Sequence, residues 1–73
     1  MSGLPRISGR DCVKALTQKD YHFIRQTGSH VILRRTNPFS QITVPDHKEL
    51  DRGTLRSIIR QADLSIAEFN ELL

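Results

Sequence analysis

"YHFIRQTGSHVILRRTNPFSQITVP", residues 21–45, holds three short runs of β-branched, apolar and aromatic residues separated by two turn signals. Tyr21–Gln26 reads as a first strand. Thr27-Gly28-Ser29 supplies a turn, because Gly28 reaches positive φ without a Cβ clash. His30–Arg35 is the second strand and Asn37-Pro38 breaks it. Gln41–Val44 is a third, short strand, and Pro45 stops it by removing a ladder donor. Two tight connections in succession predict an antiparallel three-stranded meander. Alternation puts His30, Ile32 and Arg34 on one face of the second strand, and Val31, Leu33 and Arg35 on the other. Each face carries one arginine, so the pattern leaves open which of them meets the core.

Helical signals flank this block. Ser8 with Asp11 three residues on is close to a capping box, and Cys12, Val13 and Leu16 then fall on one face while Arg10, Lys14 and Gln18 point outward. That helix fades around Lys19–Asp20. Beyond the polar stretch Asp46–Leu50, Asp51 is placed to cap a second helix in which Leu55, Ile58, Ile59 and Ala62 follow the helical period. Ser65 and Glu68 form a capping box for a last short helix, with Leu64 placed to staple onto Phe69. The expected order is α-β-β-β-α-α: an α+β fold whose sheet is covered by helices on one face, with an extra short C-terminal helix. One domain over residues 1–73 is expected, with residues 1–7 as a loose lead-in.

Composition narrows the function. Hydrophobic residues make up 37% and charged residues 26%, as in an ordinary soluble domain near the polar end. No run approaches the roughly 18 apolar residues of a membrane span, and Met1–Arg10 has no apolar signal region, so a cytoplasmic protein is expected. Cys12 is the lone cysteine, which excludes an internal disulfide and a cysteine-based zinc site. The net charge is +3, and it is unevenly spread. Residues 1–35 hold seven basic and two acidic residues, whereas residues 36–73 hold four basic and six acidic. Such asymmetry favours a polyanionic partner contacted by part of the surface.

No phosphate-binding loop, H-E-x-x-H or C-x-x-C is present. The three histidines are too scattered for a metal site, so neither metal nor cofactor is expected. His22, His30 and His47 are the candidate acid–base groups near neutral pH. His30 sits at the mouth of a turn on the face of Arg34. From the residues alone it is a turn residue, a core residue or a catalyst. His47, in "VPDHKEL", lies just past a strand end with Lys48 after it, and His22 lies inside a strand. Arg52, Arg56 and Arg60 recur every four residues, which suits either a solvated helix face or a run of phosphate contacts. The aromatics Tyr21, Phe23, Phe39 and Phe69 form no visible paired stacking platform.

Three segments taken together, "SGRDCVKAL", "RQTGSHVILRR" and "ITVPDHKELDRGTLRSIIRQADLS", resemble the HicA (YcfA-like) family of small bacterial and archaeal toxins. The likeness runs over roughly residues 6–73. Its most telling parts are G-S-H after the first strand, V-P-x-H after the third, and G-T-L-R-S-I-I-R-Q in the second helix. It implies a double-stranded-RNA-binding-like fold and a metal-independent mRNA interferase neutralised by a HicB-like antitoxin. The catalytic histidine implied is His30. The expected RNA contacts are Ser29, Arg34, His47, Lys48, Arg56 and Arg60. A non-catalytic RNA-binding module and a chain whose main task is to bind an antitoxin are the competing readings. Two departures stand out: Asp20 and Asp63 occupy connections where the family commonly has glycine.

Overall fold

The alternation of "HVILRRT" and the helical periods on either side produce two layers. The structure, a computed structural model, describes residues 3–73. The elements are α1 (Gly9–Thr17), β1 (His22–Thr27), β2 (His30–Thr36), β3 (Phe39–Pro45), α2 (Arg52–Gln61) and α3 (Ile66–Asn70). The strands form one antiparallel sheet in the order β1-β2-β3. The expected α-β-β-β-α order with a short C-terminal helix is therefore the observed one. β3 begins at Phe39, two residues before the expected Gln41, because Asn37 and Pro38 alone make the turn from β2.

Each helix starts where a side chain satisfies the free N–H groups of its first turn. The Ser8 hydroxyl accepts from the Asp11 N–H at 3.1 Å, and Asp51 Oδ2 accepts from Gly53 and Thr54. At α3 the box is reciprocal: Ser65 Oγ accepts from the Glu68 N–H at 3.0 Å, and Glu68 Oε1 accepts from the Ser65 N–H at 2.8 Å. The hydrogen bond from the Ser65 backbone, and then that with its side chain, hold the Glu68 carboxyl below its usual range.

The core settles which face of the sheet is covered. Val31 and Leu33 of β2 and Ile42 and Val44 of β3 are buried with Cys12, Ala15 and Leu16 of α1 and Leu55, Ile58 and Ile59 of α2. Fully burying an aliphatic side chain of this size contributes about 1.5–3 kcal/mol, and this layer is where the stability resides. Burial also pushes the Cys12 thiol up to about 12, so at neutral pH it is a protonated packing group. Tyr21 is buried just before β1, its hydroxyl donating to Ser40 Oγ at 2.8 Å while the Arg35 guanidinium lies 4.9 Å from the ring centre.

The lead-in expected to be loose packs on the core through Leu4 and Ile7; Met1 and Ser2 lie outside the described residues. Leu4 is 9% exposed and belongs to the core, and Ile7 packs against it. The Leu50 N–H donates to Ile7 O at 2.9 Å, and Asn70 Nδ2 donates to Gly3 O at 3.2 Å. A small domain has few apolar side chains to spare, and Leu4 and Ile7 fill the space left by the short helices.

Asp20 and Asp63 adopt φ of 68° and 61°, in the left-handed region where glycine is unstrained. This explains why glycine suits these connections. Asp63→Gly and Asp20→Gly are each expected to stabilise by about 0.5–1 kcal/mol, the left-handed penalty less the entropy of a freer unfolded chain. Thermal unfolding followed by circular dichroism should show Tm rising by several degrees. Gly9 behaves oppositely. Its N–H donates to His47 O at 2.9 Å, and a Cβ at this position would run into the backbone carbonyl of Pro45. Gly9→Ala should cost at least about 2 kcal/mol. The same melting experiment should then show a fall of roughly 8–16 °C.

Candidate active site

Gly28, at φ 59°, and Ser29 close a two-residue turn between β1 and β2, and His30 is the first residue after it. β2 is the middle strand, so His30 has a register partner on each side, Thr27 on β1 and Pro45 on β3. Its backbone is held by the sheet while its side chain is exposed. With Val31 and Leu33 in the core, His30, Ile32 and Arg34 point to the opposite, uncovered face. The histidine is neither buried nor part of the core.

One residue, Asp46, joins the two histidine-bearing motifs through its backbone N–H. The Asp46 N–H donates to Ser29 O at 2.6 Å, pinning the turn before His30 to the segment before His47. The same residue accepts from Arg10 Nε at 3.3 Å through Oδ1 and from Gln26 Nε2 at 3.3 Å through Oδ2. Gln26 Nε2 also donates to Gly28 O at 3.0 Å, bracing the turn from inside β1. The Arg10 pair is largely exposed on the arginine side, so it contributes at most about 1 kcal/mol; its effect is positional. His47 is exposed, two residues beyond the register partner of His30, and its carbonyl accepts the Gly9 N–H. Lys48 follows it, exposed.

The uncovered face has a consistent charge. β1 shifts register between Phe23 and Arg25, leaving Ile24 as a bulged residue without a partner. The bulge changes which side chains share a face. His22 pairs with Arg34 and Arg25 with Ile32, so both lie on the face of His30, whereas Phe23 and Gln26 pair with the core-facing Leu33 and Val31. Arg25 is thus diagonal to His30, at about 7–8 Å between backbones. No aspartate or glutamate occurs in any of the three strands. The face presents two arginines and two histidines with no carboxylate among them.

The expected contact residues do not all converge. Ser29, His30, His47 and Lys48 gather where the turn meets the segment after β3. Arg34 shares the face of His30 but lies four residues along β2, about 13 Å away by strand rise. Its guanidinium donates to Gln41 Oε1 through Nε at 3.1 Å and Nη2 at 2.8 Å. Arg56 and Arg60 are exposed on α2, in the layer covering the other face of the sheet. They border a concavity of about 500 Å³ with Asp63 and Ile66, away from the histidine. Helical periodicity marks such a stripe but does not say which way it faces. Sequence reasoning does not reach Arg25, whose face depends on the bulge, or Asp46, whose role depends on a contact between distant segments.

The arrangement suits acid–base chemistry on a polyanion: an exposed imidazole on a rigid strand, Arg25 diagonal to it on the same face, and no carboxylate in any of the three strands. Among the described residues, no three histidine, cysteine or acidic side chains cluster as a metal site would need. No curated protein matches the chain. A family model for the HicA toxin of bacterial toxin–antitoxin systems matches residues 9–64, a span that runs from the start of α1 past the end of α2 and contains His30, Asp46 and His47. With that match over most of its length, and with the G-S-H and V-P-D-H segments joined through Asp46, the chain belongs to the HicA toxin family.

Proposed function

We propose that this toxin is a metal-independent mRNA interferase, a ribonuclease in which His30 is the catalytic residue. The observation that carries the reading is the placement of His30: an exposed imidazole on the central strand of a carboxylate-free face, diagonal to Arg25. RNA carries its own nucleophile in the 2′-hydroxyl beside each phosphodiester. His30, neutral, takes the 2′-hydroxyl proton as general base. The 2′ oxygen forms a bond to phosphorus as the bond to the 5′ oxygen breaks, and the leaving oxygen takes up a proton from solvent. Products are a 2′,3′-cyclic phosphate and a 5′-hydroxyl end. Arg25 stabilises the charge on the non-bridging oxygens.

The remaining contacts hold the strand. Ser29 precedes the catalyst in the turn, His47 and Lys48 approach phosphates at the same end of the sheet, and Arg34 reaches the chain further along. Arg56 and Arg60 serve as a separate backbone contact on the helical layer. The toxin works in the cytoplasm, where mRNA is, and its partner is a HicB-like antitoxin. Masking the uncovered face of the sheet would be enough to neutralise it, since His30 and Arg25 both project there.

Cleavage of RNA by purified protein in the presence of EDTA tests the proposal, with circular dichroism confirming that each variant is folded. His30→Ala should lose about 10²–10⁴-fold in rate, the range for a positioned acid–base group. Arg25→Ala should lose roughly 10²–10³-fold, as for removal of one charge-stabilising donor. End-group analysis should find cyclic phosphates; a 5′-phosphate product would rule the mechanism out. RNA that is bound by wild type but not shortened would make the chain a binding module.

A further inference from the structure

The uncovered face extends well past His30, and its far end has features that the reaction at His30 does not need. Phe39 is 69% exposed, although burying such a ring is among the larger gains open to a small core. Its register partner is Thr36, and it alternates with the buried Ile42 and Val44 and with Ser40, so it stands on the same face as Gln41, Arg34 and His30. The Arg34 guanidinium lies 6.0 Å from the Phe39 ring centre, and Gln41 orients it through two hydrogen bonds to one oxygen. That leaves three of its five N–H donors for a ligand.

Thr36 lies six residue steps along β2 from His30, so Phe39 lies about 20 Å along the sheet from the catalyst. A strip of this kind, with cations, no carboxylate, and an exposed ring beside an oriented guanidinium, matches a nucleic-acid strand. Phosphates meet the arginines and a base stacks on the ring. Only an unpaired base can offer its face, because in a duplex both faces are taken up by neighbours. Resting on the ribonuclease reading of His30, we infer that the uncovered face is a track for single-stranded RNA. Phe39 and Arg34 form a distal subsite that stacks one unpaired base several nucleotides from the bond being cut. The exposed ring on this face favours an unpaired strand over a duplex.

The test compares cleavage of a dinucleotide, too short to reach Phe39, with cleavage of an unstructured decanucleotide. Wild type should favour the decanucleotide in kcat/KM. Phe39→Ala should collapse that preference by roughly 5–100-fold, the range for loss of one base–aromatic stack, mainly through KM. Phe39→Tyr should restore it. A preference unaltered in Phe39→Ala overturns the subsite, as does an equal loss on both substrates. Weakened antitoxin binding with the RNA preference intact would reassign Phe39 to a protein contact and also overturn it. Fluorescence anisotropy of the labelled decanucleotide on His30→Ala, with and without Phe39→Ala, separates the two readings. If His30→Ala still cuts RNA, the catalytic assignment fails, while the anisotropy difference still decides the distal subsite.

Discussion

The helices cover one face of the sheet and leave the other to water, and most of what this molecule can do follows from that. A strand in such a sheet must alternate, because the period of two sends successive side chains to opposite environments. Val31, Leu33, Ile42 and Val44 supply the covered side. His30, Arg34, Gln41 and Thr43 then fall in register on the other. The same packing that stabilises the domain therefore also displays the chemistry. A polar residue at Leu33 would both weaken the core and loosen the strand that carries His30.

A second constraint acts at one end of the sheet. Asp46 holds the Gly28–Ser29 turn by its backbone, Arg10 by one carboxylate oxygen and Gln26 by the other. Next to it, Gly9 lets the first turn of α1 come against the backbone at Pro45 and His47, which a side chain would prevent. Residues from α1, β1, the turn and the segment after β3 are thereby referenced to one another within a few bonds. Each of these hydrogen bonds is modest in free energy. Their value is geometric: a general base contributes to rate only when held at the right distance from the proton it takes.

Much of this was legible in the residues. Ser8, Asp51 and the Ser65–Glu68 pair announced the helix starts, because capping is a local event between residues three apart. The three strands and their turns were legible from Gly28, from Asn37-Pro38 and from the alternation of Val31 and Leu33. What was not legible depended on contacts between distant segments. The arginines at 34 and 35 gave both faces of β2 the same charge, and only the core decides between them. Leu4 falls in a lead-in expected to be loose because nothing near it in sequence shows that it packs. Arg56 and Arg60 carry a stripe whose direction is set by how α2 lies on β3. Phe39 fell one alternation outside the expected third strand, and extending the Gln41–Val44 pattern back by two residues is the step that would have placed it.

The bulge at Ile24 has a consequence for how β1 tolerates changes in length. Without Ile24 the strand would alternate strictly, with His22, Arg25 and Thr27 on one side and Phe23 and Gln26 on the other, which is how they already lie. The strand therefore has one residue of slack, and it is confined to this position. Losing Gln26 instead would make Arg25 and Thr27 immediate neighbours, and neighbours in a strand cannot share a face. One of the two would leave the side of His30, and the brace to Asp46 would go with Gln26. A shortening of β1 is thus absorbed before Arg25 and disruptive after it, so the spacing from Arg25 to His30 is as constrained as the identity of either residue.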